Sequence, residues 1–158
     1  MKKDFLYLVC QFVLFALFFI NIELWTFNIP AWLGYFFLVF VVVGFVIIML
    51  GILHLDDNLT PFPAPKKDSY LISNGIYKYV RHPIYLGILV AMTAYALYEM
   101  SVFRLVVTAL LLVVLYFKTQ LEEAYLIERF EAYQDYKKNA GRFLPRWNWF
   151  VLHFGGNS

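Results

Sequence analysis

Gly75-Ile76-Tyr77-Lys78-Tyr79-Val80-Arg81-His82-Pro83-Ile84-Tyr85-Leu86-Gly87 is the stretch where a polar loop turns abruptly into an apolar helix. Pro83 decides that reading. Its ring fixes φ and it has no N–H to lose, so it suits the first turn of a helix and pushes His82 into an extended conformation. A helix therefore starts at about residue 83. Its unpaired N–H groups and positive dipole end favour an anionic ligand group such as a carboxylate, and Arg81 and His82 add donors at the same place. Gly87, one turn inside, has no side chain and lets a ligand or a second helix approach the backbone closely. A plainer reading competes with this one: a membrane-entry signal in which Arg81 and Tyr85 are interfacial anchors.

The surrounding composition sets the solvent. Of the 158 residues, 62% are hydrophobic and 15% are charged. Soluble domains carry roughly 25% charge, so the composition is that of a membrane protein. A net charge of +2, scattered between hydrophobic spans, gives no argument for nucleic acid, and none is expected as a partner. The single cysteine, Cys10, lies in an apolar run, which rules out an intramolecular disulfide, and it reads as packing rather than as a metal ligand. Nothing in the pattern suggests a metal site. Lys2 and Lys3 precede an apolar segment too long for a signal peptide and without a small-residue cleavage site, so that segment is expected to be retained.

A membrane-spanning helix needs about 20 mostly apolar residues, and four segments come close. The first runs from Phe5 to Phe27, interrupted by Gln11, Asn21 and Glu23, with Glu23 near an aromatic belt of Trp25 and Trp32. The second runs from Trp32 to Leu53 without a charge. The third runs from Pro83 to Tyr98, about 24 Å, which is short of a ~30 Å hydrocarbon core and places its N-terminus in a recess. The fourth runs from Val102 to Phe117 and continues into a polar stretch from Lys118. Between the second and third, Asp56, Asp57, Asn58, Pro61, Pro63, Pro65, Lys66, Lys67 and Asp68 mark an extended loop that reads as a cover. Among the Lys and Arg residues, only Arg104 lies at the opposite ends of the spans, so the positive-inside rule puts the loop and both termini in the cytoplasm.

The fold class expected is therefore all-α: a polytopic membrane protein with about four transmembrane helices, the last extending into a cytoplasmic amphipathic helix. One domain over 1–158 divides into a first hairpin at 1–58, a ligand-binding core at 59–146 and an interfacial tail at 147–158. The localisation expected is the cytoplasmic membrane of a prokaryote, with the lipid bilayer as partner.

A second half of the site is expected in Lys118 to Arg142, which no proline or glycine interrupts before Gly141. On one continuous helix Glu122, Arg129 and Tyr133 share a face. Glu122 and Glu123 diverge by about 100°, so at most one contacts a ligand while the other pairs with a cation such as Lys118 or Arg129. An ordinary solvated helix would carry the same charges. Likewise Gly141 to Phe150 reads either as an interfacial anchor or as a segment that supplies Arg142 to the site.

Leu59-Thr60-Pro61, then Gly75-x-Tyr77-x-x-Val80-Arg81-His82-Pro83-x-Tyr85-x-Gly87, then Glu122-Glu123, Phe130, Tyr133, Tyr136 and Arg142-Phe143-Leu144-Pro145 resemble the isoprenylcysteine carboxyl methyltransferase and phospholipid methyltransferase family of integral membrane enzymes. The resemblance covers roughly residues 59 to 146. It implies S-adenosylmethionine as methyl donor, and a lipophilic or small acceptor whose carboxylate, thiol or amine is methylated at the cytoplasmic membrane border. Carried over by position, Tyr77, Arg81, His82, Pro83, Tyr85 and Gly87 line the cofactor, with Glu122 or Glu123 as its carboxylate partner. Tyr133, Tyr136 and Asn139 are the implied acceptor-binding residues, and His82 and Arg142 the implied catalytic ones. Asn139 or Arg142 takes the place of the family's arginine beyond the tyrosines, which departs from the prenylcysteine pattern. A thiol or amine nucleophile needs a base, for which His82 is the nearest candidate. The alternatives are a nicotinamide-dependent membrane reductase of sterol-reductase type, or a non-catalytic helical scaffold.

Overall fold

A computed structural model describes residues 2–20, 22, 26–55, 60, 62–63 and 70–146. Asp56, Asp57, Asn58, Leu59, Pro61, Pro65, Lys66, Lys67 and Asp68 of the proline loop, together with Glu23, Trp25 and the 147–158 tail, lie outside the described residues. The regular elements are α1 (Lys2–Phe19), α2 (Ala31–Leu55), a single 3-10 turn at Gly75–Lys78, α3 (Pro83–Tyr98), α4 (Val102–Arg129) and α5 (Tyr133–Asn139). No strand is present among the described residues beyond two isolated bridges. The four long helices pack in a row: α2 against α3, α3 against α4, and α4 against α1.

α2 and α4 are long and apolar enough to cross a membrane, while α1 and α3 are shorter apolar helices. Only Gly34, Gly44 and Gly51 of α2 are buried. Its large side chains, among them Trp32, Phe45 and Leu53, face outward, as a lipid-facing helix requires. The missing side chains let α2 and α3 touch backbone to backbone. A Cβ on Gly44 would stand 2.7 Å from the Gly87 carbonyl oxygen, and one on Gly87 would stand 2.6 Å from that of Gly44.

α3 starts at Pro83, as the sequence predicts, while His82 as N-cap is non-helical at φ −127° and ψ 62° rather than fully extended. The first helix departs from expectation, ending at Phe19 rather than Phe27. Thr26 instead bridges Ser101, and Phe27 N–H donates to Met100 O at 3.2 Å, an extended pairing that a helix through Phe27 would forbid. Arg104, the exceptional cation at this end, is buried and satisfied internally by Phe18 O at 3.2 Å and Glu99 Oε2 at 3.0 Å.

The fourth helix differs too. It continues past the apolar run but stops at Arg129, where Phe130 turns extended at φ −120° and ψ 109°. A turn at 131–132 then starts α5, so Tyr133 does not share the α4 face of Glu122 and Arg129. No helix breaker causes this. The break instead turns the Tyr133 ring inward, to 1% exposure.

Candidate functional site

The loop before α3 is held from behind by the chain after α5. Val80 and Gly141 form a parallel bridge, with Arg81 N–H donating to Gly141 O at 2.8 Å and His82 N–H to Arg142 O at 3.1 Å. Gly141 N–H returns a bond to Tyr79 O at 3.0 Å. These contacts present His82 to α4, where the acidic pair sits one helical turn beyond Lys118.

Adjacency on a helix makes the two glutamates diverge, and the imidazole uses the divergence. Nδ1 of His82 lies 3.4 Å from Glu122 Oε2, and Nε2 lies 3.3 Å from Glu123 Oε1. The Tyr85 ring stacks on the imidazole at 5.8 Å. Burial opposes the charged form of His82, but the hydrogen bonds and charges of Glu122 and Glu123 outweigh it, so its pKa is raised above the ordinary histidine value.

Glu123 is an ion-pair hub. Arg81 donates to its Oε1 from Nε at 3.1 Å and from Nη2 at 2.9 Å, and Arg142 Nε donates at 3.2 Å. Lys137 Nζ reaches Oε2 at 2.9 Å. The remaining Arg81 nitrogen donates to the carbonyls of Lys137 and Ala140, which fastens α5 to the same point. Arg142 also lies over the Tyr116 ring at 4.8 Å. Glu123 and Arg142 therefore stand behind the site.

In front of them is a cavity of about 390 Å³, within the range of small-molecule sites. Its wall is mainly apolar, from Leu55, Phe62, Ile72, Ile84, Ile88, Leu126 and Phe130, and the polar groups on it include Glu122, Arg81, His82 and Lys118. Glu122 Oε1 accepts from Tyr85 Oη at 2.6 Å and lies 4.0 Å from Lys118 Nζ. Tyr77 donates to Gly51 O at 3.2 Å and Tyr136 donates to Tyr77 O at 2.6 Å. Burial, above all, raises the pKa values of Tyr77, Tyr133 and Tyr136, so all three remain hydroxyl donors. The Tyr133 hydroxyl is buried and has no hydrogen-bond partner among the described residues.

Of the residues singled out from sequence, Tyr77, Arg81, His82, Pro83, Tyr85, Glu122, Tyr133 and Tyr136 meet on this wall. Glu123 and Arg142 do not line it. Gly87 lies in the α2–α3 crossing and serves helix packing there. Asn139 is exposed and donates to Asp135 O at 3.2 Å, back along its own helix. Among the wall residues not assigned to the site from sequence are Gln11 of α1, and Lys118, read only as a partner for an acidic residue. A lone polar residue in an apolar helix was the available signal for Gln11. Among the described residues, no cluster of His, Cys, Asp and Glu could hold a metal ion.

A family profile described as phospholipid methyltransferase matches residues 29–133. A curated methanethiol S-methyltransferase from Pseudomonas deceptionensis is 39% identical over 98 residues, which covers 61% of this chain and 36% of that relative's own length. The chain belongs to the phospholipid methyltransferase family, a family of membrane methyltransferases.

Proposed function

We propose that this member of the phospholipid methyltransferase family transfers a methyl group from S-adenosylmethionine to a small thiol at the cytoplasmic border of the membrane. The observation that carries the reading is the wall shared by α3 and α4, where Glu122 and His82 stand in an otherwise mainly apolar recess. That donor set fits the cofactor. Glu122 offers a carboxylate to hydroxyls or an ammonium, Arg81 and His82 offer positive charge to a carboxylate, and Tyr133 brings a buried hydroxyl without a partner among the described residues. When bound, S-adenosylmethionine supplies an activated methyl on a sulfonium with a good leaving group.

The residues contribute position and exclusion of water more than acid–base chemistry. Both nitrogens of His82 lie within 3.4 Å of carboxylate oxygens, so His82 orients Glu122 and is not placed to accept a substrate proton. Arg142 acts through Glu123, holding the loop that carries His82. The apolar side chains around them keep water from the reacting sulfur. The choice of a thiol rests on the curated relative, whose name specifies methanethiol. Four crossings, with α1 and α3 as short spans and both termini in the cytoplasm, complete the topology proposed.

Calorimetry with S-adenosylhomocysteine on detergent-solubilised protein tests the cofactor, and methylation of methanethiol tests the acceptor. No heat of binding at millimolar ligand would refute the reading.

A further inference from the structure

α1 lies outside the matched residues 29–133, yet it supplies Gln11 to the cavity wall. Gln11 is 8% exposed and Lys118 is 1% exposed, so both polar groups have been carried into an apolar surrounding. Their contact is Lys118 Nζ donating to Gln11 Oε1 at 2.8 Å. An ammonium can only donate, so it fixes the orientation of the amide. The oxygen of Gln11 is committed to Lys118, and what Gln11 has left to offer a ligand is a pair of N–H donors. Lys118 is itself on the wall, 4.0 Å from Glu122 Oε1 and 5.1 Å from the centre of the Tyr85 ring. A buried cation and an amide oriented as a donor therefore adjoin each other at the α1–α4 edge of the cavity.

We propose that Gln11 and Lys118 form an anion subsite in this cavity, which receives the methyl acceptor as its thiolate. The inference rests on the methyltransferase reading above and adds the acceptor's charge state and the residues that hold it. Sulfur is the nucleophile only as thiolate, and a small thiol is mostly protonated at neutral pH. A positive charge with adjacent N–H donors, on a mainly apolar wall, favours the anion on the side of Lys118 away from Glu122. The thiol proton passes to bulk water as the thiolate settles. A sulfur lone pair forms the new S–CH3 bond, and the bonding pair of the broken sulfonium–methyl bond stays with the donor sulfur, giving two neutral thioethers. An amine acceptor, cationic in water, would meet Lys118 as a like charge.

Gln11→Leu removes the amide donors at similar volume, and Gln11→Glu places a carboxylate where the anion would sit. Both are compared with the parent in detergent by S-adenosylhomocysteine calorimetry, by methanethiol kinetics, and by displacement with propionate as an unreactive small anion. The expected result is a rise of about tenfold in KM for methanethiol with Gln11→Leu and a larger rise with Gln11→Glu. Propionate should weaken in the same order, while S-adenosylhomocysteine affinity stays within about twofold. Lys118→Arg, which keeps the charge, should retain propionate binding, and Lys118→Met should lose it. Unchanged KM and unchanged propionate displacement in both Gln11 variants, with S-adenosylhomocysteine still bound, would overturn the subsite. Failure of the parent to bind S-adenosylhomocysteine would overturn the methyltransferase reading instead.

Discussion

Neutralising Glu123 should be felt mainly in stability and neutralising Glu122 mainly in ligand binding, although the two residues are adjacent. Glu123→Gln leaves Arg81, Arg142, His82 and Lys137 gathered around a neutral amide whose N–H groups face donors. Breaking a buried pair by removing one partner costs about 3–5 kcal/mol. Arg81 is the partner to which that figure applies, because its side chain is 7% exposed. Lys137, at 39% exposure, adds about 1 kcal/mol or less. The predicted loss is therefore about 3–5 kcal/mol, which for a chain of this size lowers the melting midpoint by roughly 6–20 °C. Glu122→Gln keeps an oxygen for the Tyr85 hydroxyl and for His82 but leaves the buried Lys118 ammonium without its carboxylate, so its stability loss should be smaller, about 1–3 kcal/mol. Its effect should fall on the ligand, weakening S-adenosylhomocysteine about tenfold or more. Thermal melts in detergent and calorimetry on both variants measure the split. A Glu123→Gln midpoint within about 2 °C of the parent would refute the hub, and an unchanged S-adenosylhomocysteine affinity in Glu122→Gln would refute its place at the ligand.

His82 gives a pH dependence whose sign follows from its partners. Its folded-state pKa is raised, so its contribution to stability is fully present below the unfolded value of about 6.5 and is lost as pH rises through the folded value. Melting midpoints should fall as pH is raised above neutrality, and His82→Gln should flatten that slope. Gly44→Val puts side-chain carbons where a Cβ already meets the Gly87 oxygen at 2.7 Å, so it should separate α2 from α3. A cost of about 3 kcal/mol or more and a loss of monodispersity on size exclusion are expected. Tyr133→Phe removes a buried hydroxyl that has no partner among the described residues, so the ligand-free melting midpoint should hold or rise while the shift induced by S-adenosylhomocysteine shrinks. A fall in the ligand-free midpoint would show that the hydroxyl is already satisfied.

The site was legible in sequence wherever local chemistry dictates local structure. Pro83 suits the first turn of a helix because of its fixed ring and missing N–H, the apolar run after it carries the helix on, and α3 runs over the residues read for it, Pro83–Tyr98. The break at Phe130 was not legible. The local sequence is compatible with a continuous helix, and the break places Tyr133 on a wall built together with other segments. The same holds for Gly87, where absence of a side chain is equally useful to a ligand and to a helix neighbour, and Gly44 is what occupies the space.

Composition and apolar run lengths by themselves determined an all-helical chain suited to a membrane, and the ordered motif from Arg81 to Arg142 determined its family resemblance. These rest on properties that each segment has alone: transfer free energy, backbone restriction and residue order. The division of labour in the acidic pair belongs to the tertiary structure. A helix displays two adjacent carboxylates at about 100°, and only its rotation against α3 and α5 decides which meets a cavity and which meets Arg81, Lys137 and Arg142. The entry of Gln11 into the site belongs there as well. Its partner Lys118 is 107 residues away, and only the packing of α1 on α4 brings the amide to the ammonium.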